Sequence, residues 1–231
     1  MGNLYLRKQL VWLVAFSVAM GFLESAVVVY LRAIYYKEGF QFPLVAMDTT
    51  LAITELLREA ATLVMLLGVA VLSAQSAYRR FSFFLIAFAV WDIFYYVFLK
   101  LLLDWPPSLF TWDILFLLPV PWVGPVLSPC LISLTMIILA GAILDRESKG
   151  ALISFTKSEW ILLIGGSFIV FLSWTMDYYR FGSDLLSVEK SVRYFSTYVP
   201  QTYNWWLFCA GEFSLLAGIV IFLIRTRKSG A

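Results

Sequence analysis

Glu55-Leu56-Leu57-Arg58-Glu59 lies inside LAITELLREAATLVMLLGVAVL, residues 51–72, an otherwise apolar run. The run is long enough to cross a bilayer as one helix, since about 20 apolar residues suffice. Three ionisable side chains in five residues are costly there. A central Arg or Asp costs about 2.5–3.5 kcal/mol even on insertion scales, so such groups turn to a bundle interior and pair. That one stretch implies both a membrane bundle and a polar site within it.

The rest of the composition agrees. Of 231 residues, 61% are hydrophobic and 14% charged, against about 45–50% and about 25% in soluble domains. The expected fold is all-α: a polytopic bundle of about six transmembrane helices forming a single integral membrane domain, residues 1–231. A net charge of +2 gives no reason to expect nucleic-acid binding. The chain has no histidine, which removes His-ligated haem, most zinc sites and His general-base catalysis. No metal site is expected, and no cofactor is indicated. Cys130 and Cys209 lie in apolar runs without C-x-x-C spacing. They read as small core residues, although spacing alone does not exclude a disulfide.

Taken in order, the first span covers residues 9–36, with Glu24 in its middle and Arg32 near its far end. Arg7 and Lys8 precede it as in a signal peptide. The apolar run is longer than such a peptide needs and no small-residue cleavage site follows, so a retained helix is expected. Asp48-Thr49-Thr50 has the character of an N-cap for the second span, residues 50–73. Residues 74–80 read as a polar turn. The third span, 81–103, carries Trp91, Asp92, Tyr95, Tyr96 and Lys100. The fourth, 126–144, is uncharged. The fifth, 160–178, contains Gly165-Gly166, a pair that permits close helix approach. The sixth, 203–224, contains Glu212 and ends before Arg225, Arg227 and Lys228.

Residues 104–129, between the third and fourth spans, hold six of the eight prolines together with Trp105, Trp112 and Trp122. Proline at this density does not make a straight spanning helix. An interfacial or re-entrant lid is expected, with a short helix over residues 108–118 and the tryptophans at the headgroup level. Residues 184–195, in the second long loop, suggest an amphipathic interfacial helix.

Placing the N-terminus in the cytoplasm puts ten Lys and Arg residues on that side, four on the other and three within spans. The positive-inside rule then places both termini in the cytoplasm and the two long loops outside.

This topology brings the charges to a common level. With a rise of about 1.5 Å per residue, Glu55 and Glu59 lie roughly 8 and 14 Å below the outer end of the second span, and Glu212 roughly 14 Å below that of the sixth. Glu24 and Asp92 fall near the same depth. Glu55 and Glu59, four apart, share a helix face that Arg58 adjoins. The expected ligand-binding set is therefore Glu24, Glu55, Arg58, Glu59, Asp92, Tyr95, Tyr96 and Glu212, with Trp105, Trp112 and Trp122 as its lid. Its surplus of carboxyls calls for protonation or a bound cation.

No nucleotide-binding, nucleophile-elbow or zinc-protease motif is present. Three function classes remain. The first is a binding protein whose cluster holds a lipid, a small molecule, a membrane-protein partner or a second copy of the chain. The second is a small ion- or proton-coupled transporter, since carboxylates on several helices suit a proton relay. The third is a lipid-modifying enzyme using Glu55, Glu59 or Asp92 as acid or base.

Overall fold

A computed structural model describes residues 2–45, 48–181 and 197–228. The helices in chain order are α1 (Gly2–Tyr35), α2 (Thr49–Ser73), α3 (Ala77–Leu103), α4 (Leu127–Ser148), α5 (Lys157–Phe181) and α6 (Trp205–Lys228). All six are long and apolar enough to cross a membrane, and the protein is an integral multi-pass membrane protein. Most expected spans lengthen by a few residues. The polar turn expected over 74–80 shrinks to the residues between α2 and α3, because Ser76 caps α3 by accepting from the Arg79 N–H at 3.2 Å. Asp48 caps α2 as expected, its Oδ1 accepting from the Leu51 N–H at 3.0 Å. The helix expected over 184–195 lies outside the described residues.

Two close-packed units make up the bundle. In the first, α1 lies along α3. A side chain at Gly21 would meet the Trp91 carbonyl oxygen at 2.9 Å, and Ser25 Oγ donates to the Tyr95 carbonyl at 2.9 Å. In the second, α5 and α6 meet backbone to backbone. A Cβ at Gly166 would stand 2.8 Å from the Gly211 carbonyl oxygen. Of the expected Gly165-Gly166 pair only Gly166 makes this contact, and Gly165 has open space around it. The uncharged segment of α4 joins the units as a packing helix, with Ser133, Thr135, Ala140 and Ile143 buried.

α2 is held differently. It packs on α3 and touches α1 only sparsely. Its buried stripe runs Glu55, Glu59, Thr62, Leu66 and Ala70, spaced three or four apart as one helix face requires. The stripe is apolar toward the end where Gln9 Nε2 bonds the Ser73 carbonyl at 2.5 Å, and acidic toward the other.

The segment between α3 and α4 corrects the expectation of a short helix. It is a β-hairpin, β1 (Trp112–Phe116) and β2 (Trp122–Pro125), antiparallel, with Trp112 opposite Pro125 and Asp113 opposite Gly124. Pro119 and Pro121 sit in the connecting loop and Pro125 at the strand end, so little of the ladder needs their missing N–H groups. Trp112, Ile114 and Phe116 are aromatic or β-branched, residue types that favour a strand. Pairing the strands also satisfies backbone groups that lipid cannot. Trp122 stacks on Trp174 of α5 with ring centroids 5.3 Å apart. Trp174 Nε1 in turn donates to Ser128 Oγ at 2.8 Å, so the hairpin is anchored to the second unit.

Candidate functional site

The sparse contact between α1 and α2 leaves a space at the hairpin end. A cavity of about 530 Å³ opens there, walled by α1, α2 and α3 and covered by the hairpin. The α1 wall is Glu24, Val28, Leu31 and Arg32, and the α2 wall includes Ala52, Glu55, Leu56 and Glu59. Each set repeats at three or four residues, so each helix gives one face to the cavity.

Arg58 joins the walls. Its Nε lies 2.9 Å from Glu55 Oε2 one turn away on the same helix, and its Nη1 pairs with Glu24 Oε1 across the gap. Thr62 Oγ1 adds a contact to Glu24 Oε2 at 3.5 Å. The charges of this triad therefore bridge the two helices that otherwise barely touch.

Glu59 is bound to the roof. Its Oε2 accepts the Leu117 N–H at 2.9 Å, and Leu117 opens the hairpin loop. Glu59 lies ten residues into α2, or about 15 Å along the helix, so the loop descends well past the α2 end. The segment is re-entrant relative to that helix. Asp92, on the α3 wall, accepts from Ser133 Oγ of α4 at 2.8 Å. Glu59 and Asp92 thus each hold a neutral donor, and neither has a cationic partner among the described residues.

Sequence reasoning passed over Asp113 of β1. It is buried and lines the cavity, and its Oδ2 accepts from the Tyr96 hydroxyl at 3.1 Å. Burial pushes its carboxyl up to about 6, against the opposing influence of Arg32 and of that hydrogen bond. An acid in a strand would have been the signal, but a helical reading of residues 108–118 hides its inward face. Arg32 was placed only near a rim. It is 8% exposed and sits in a corner formed by two rings, its Cζ 3.9 Å from the Trp105 centroid and 4.5 Å from that of Phe40.

The remaining expected residues divide. Glu24, Glu55, Arg58, Glu59, Asp92 and Tyr95 line one cavity. Tyr96 stands behind it, buried, as the donor to Asp113. Glu212 stands apart: α6 packs on α5 and α4, and there Glu212 Oε1 accepts from Thr135 Oγ1. Of the three lid tryptophans none lines the cavity. Trp105 backs Arg32, Trp112 meets Tyr203 edge-on at 6.0 Å, and Trp122 anchors the hairpin. The roof itself is Leu117, Pro119, Val120 and Pro121. Both cysteines are free, Cys130 half-buried and Cys209 exposed, so Cys209 is not the core residue expected. Among the described residues no group of three or more Cys, Asp and Glu side chains is arranged to hold a metal ion.

Compared with family models, characterised proteins and solved structures, the chain shows no significant match.

Proposed function

We propose that this membrane protein binds a small molecule or lipid in the cavity between α1, α2, α3 and the hairpin. The observation that carries the reading is the setting of the charges. The Glu24–Arg58–Glu55 triad, Glu59, Asp92 and Asp113 all border one space of about 530 Å³. That volume lies within the roughly 300–1,000 Å³ of ligand sites, and the mixture of apolar walls with a few placed polar groups is theirs as well. The Lys and Arg distribution supports an orientation with both termini cytoplasmic and the hairpin side outward.

Native mass spectrometry of the protein, extracted gently from its own membrane, tests this. A stoichiometric small-molecule or lipid adduct is expected on the wild type. Ala52→Trp fills the cavity and removes it, Arg58→Ala weakens it, and Glu212→Gln, away from the cavity, leaves it intact. A wild type without an adduct, or an adduct untouched by Ala52→Trp, overturns the reading.

A further inference from the structure

Among the described residues, the cavity is lined by a basic group and by carboxyls that make no ion pair. Arg32 is the unmatched cation. It is more than nine-tenths buried, lines the cavity, and makes no ion pair or side-chain hydrogen bond among the described residues. Trp105 and Phe40 touch it through their rings. Their own centroids lie 5.8 Å apart at an interplanar angle of 86°, so they hold the guanidinium in a fixed corner. Ring faces satisfy part of its charge but offer no in-plane acceptor to its five N–H donors. A guanidinium fixed by aromatic packing, with its donor edge unfilled, is suited to a carboxylate or phosphate.

Glu59 and Asp92 are carboxyls without an ion-pair partner among the described residues. Each accepts one hydrogen bond from a neutral donor, the Leu117 N–H and the Ser133 hydroxyl, and both line the same cavity as Arg32. Arg58 makes its ion pairs with Glu24 and Glu55 and forms none with Glu59 or Asp92 among the described residues. Asp113 lies near enough to feel Arg32 but beyond ion-pair distance, and among the described residues its one side-chain partner is Tyr96. A purely anionic ligand would match Arg32 and meet a surplus of carboxylates. A purely cationic one would match the carboxylates and leave a buried guanidinium without an acceptor.

The geometry points to a zwitterion as the ligand: an acidic group, carboxylate or phosphate, against Arg32, and a protonated amine against Glu59 and Asp92. The inference rests on the proposed binding role of the cavity and names the chemistry of what it takes. The same pair of charges occurs on a free amino acid and on an aminophospholipid headgroup.

The test uses the full chain in uncharged maltoside micelles, with binding followed by thermal shift and calorimetry. Free probes are ε-aminocaproic acid and shorter and longer ω-amino acids, against caproic acid and hexylamine. Lipid probes are phosphatidylethanolamine against phosphatidylglycerol, a phosphodiester that lacks the amine. The zwitterion of one arm is expected to bind about tenfold or more tightly than its singly charged counterpart, the worth of one charge-assisted hydrogen bond. The arm in which this occurs identifies the source. Arg32→Gln and Glu59→Gln each erase that preference, and the Gln side chain retains an acceptor for the Leu117 N–H. Equal binding of singly charged and zwitterionic probes overturns the inference while leaving the cavity as a ligand site, as does a preference that survives both variants. If no probe binds, the inference is overturned as well. The adduct on the native protein then decides separately whether the binding role stands. The wild-type probe series keeps the test decisive should either variant fail to fold.

Discussion

Two regions of this bundle hold buried charge in opposite ways. At the end bearing the termini, Glu159 of α5 is fully buried. Its Oε1 meets Arg225 Nε of α6 at 2.8 Å and its Oε2 accepts the Thr156 N–H at 2.7 Å. Arg225 also donates to the Ser154 carbonyl at 2.5 Å. Each oxygen has a donor, and the helices around the pair touch. At the hairpin end the Glu24–Arg58–Glu55 triad spans two helices that hardly touch and borders open space. The first arrangement is a crosslink. The second bridges two helices across the edge of a cavity.

The largest effect should come from breaking both arrangements alike. Arg225→Ala removes the cation and the charged donors of Glu159, which costs about 2–3 kcal/mol. Arg58→Ala leaves two carboxylates that adjoin a cavity roomy enough for water, and the expected cost is nearer about 1 kcal/mol. Denaturant unfolding in one detergent measures both. Should Arg58→Ala cost as much as Arg225→Ala, the triad is a closed crosslink too and the contrast collapses.

The backbone gives an independent version of the same contrast. A Cβ at Gly211 would stand 2.7 Å from Val170 Cγ2 and 2.9 Å from the Gly166 carbonyl oxygen. Backbone cannot swing aside as a side chain can, so Gly211→Ala pushes α5 from α6 and costs about 1–3 kcal/mol. Gly68 of α2 has nothing within 4 Å of the same position. Gly68→Ala should be neutral or stabilising by about 0.5–1 kcal/mol through helix propensity. Thermal unfolding of the two variants sharpens the comparison. Equal midpoints would mean that the α5–α6 contact is looser than its distances imply.

Much of this organisation is legible in the chain. Glu24, Glu55, Arg58, Glu59 and Asp92 can be brought to one depth by counting 1.5 Å per residue, and the structure lines one cavity with all five. Depth is only one coordinate, however. Glu212 shares the depth but not the azimuth, because which helices are neighbours is decided by contacts such as Gly166 to Gly211 that spacing alone does not pair. The roof was harder to read. Proline density announces that residues 104–129 are not a spanning helix, but a hairpin depends on long-range pairing of Trp112 with Pro125. Asp113 and Arg32 were missed as a consequence. Arg32 takes its place only when Trp105, distant in sequence, closes on it beside the nearby Phe40, and Asp113 only when the strand turns it toward Tyr96.

Asp113 offers the smallest and most local way to probe the open end. Its carboxyl is raised by burial to about 6, above the roughly 3.9 of an unfolded chain. The folded protein therefore binds this proton more tightly than the unfolded one. The stability it contributes is complete below about pH 4 and is lost as the pH rises through 6. Between pH 5 and 7 the loss amounts to about 1 kcal/mol. Asp113→Asn keeps an acceptor for the Tyr96 hydroxyl and has no proton to lose, so its unfolding midpoint should fall less than that of the wild type over this interval. Arg32, which opposes the shift, sets the scale: in an Arg32→Gln background the difference between Asp and Asn at position 113 should widen. An Asp113→Asn profile that tracks the wild type would mean that water reaches this carboxyl freely. The hairpin would then roof the cavity without sealing it.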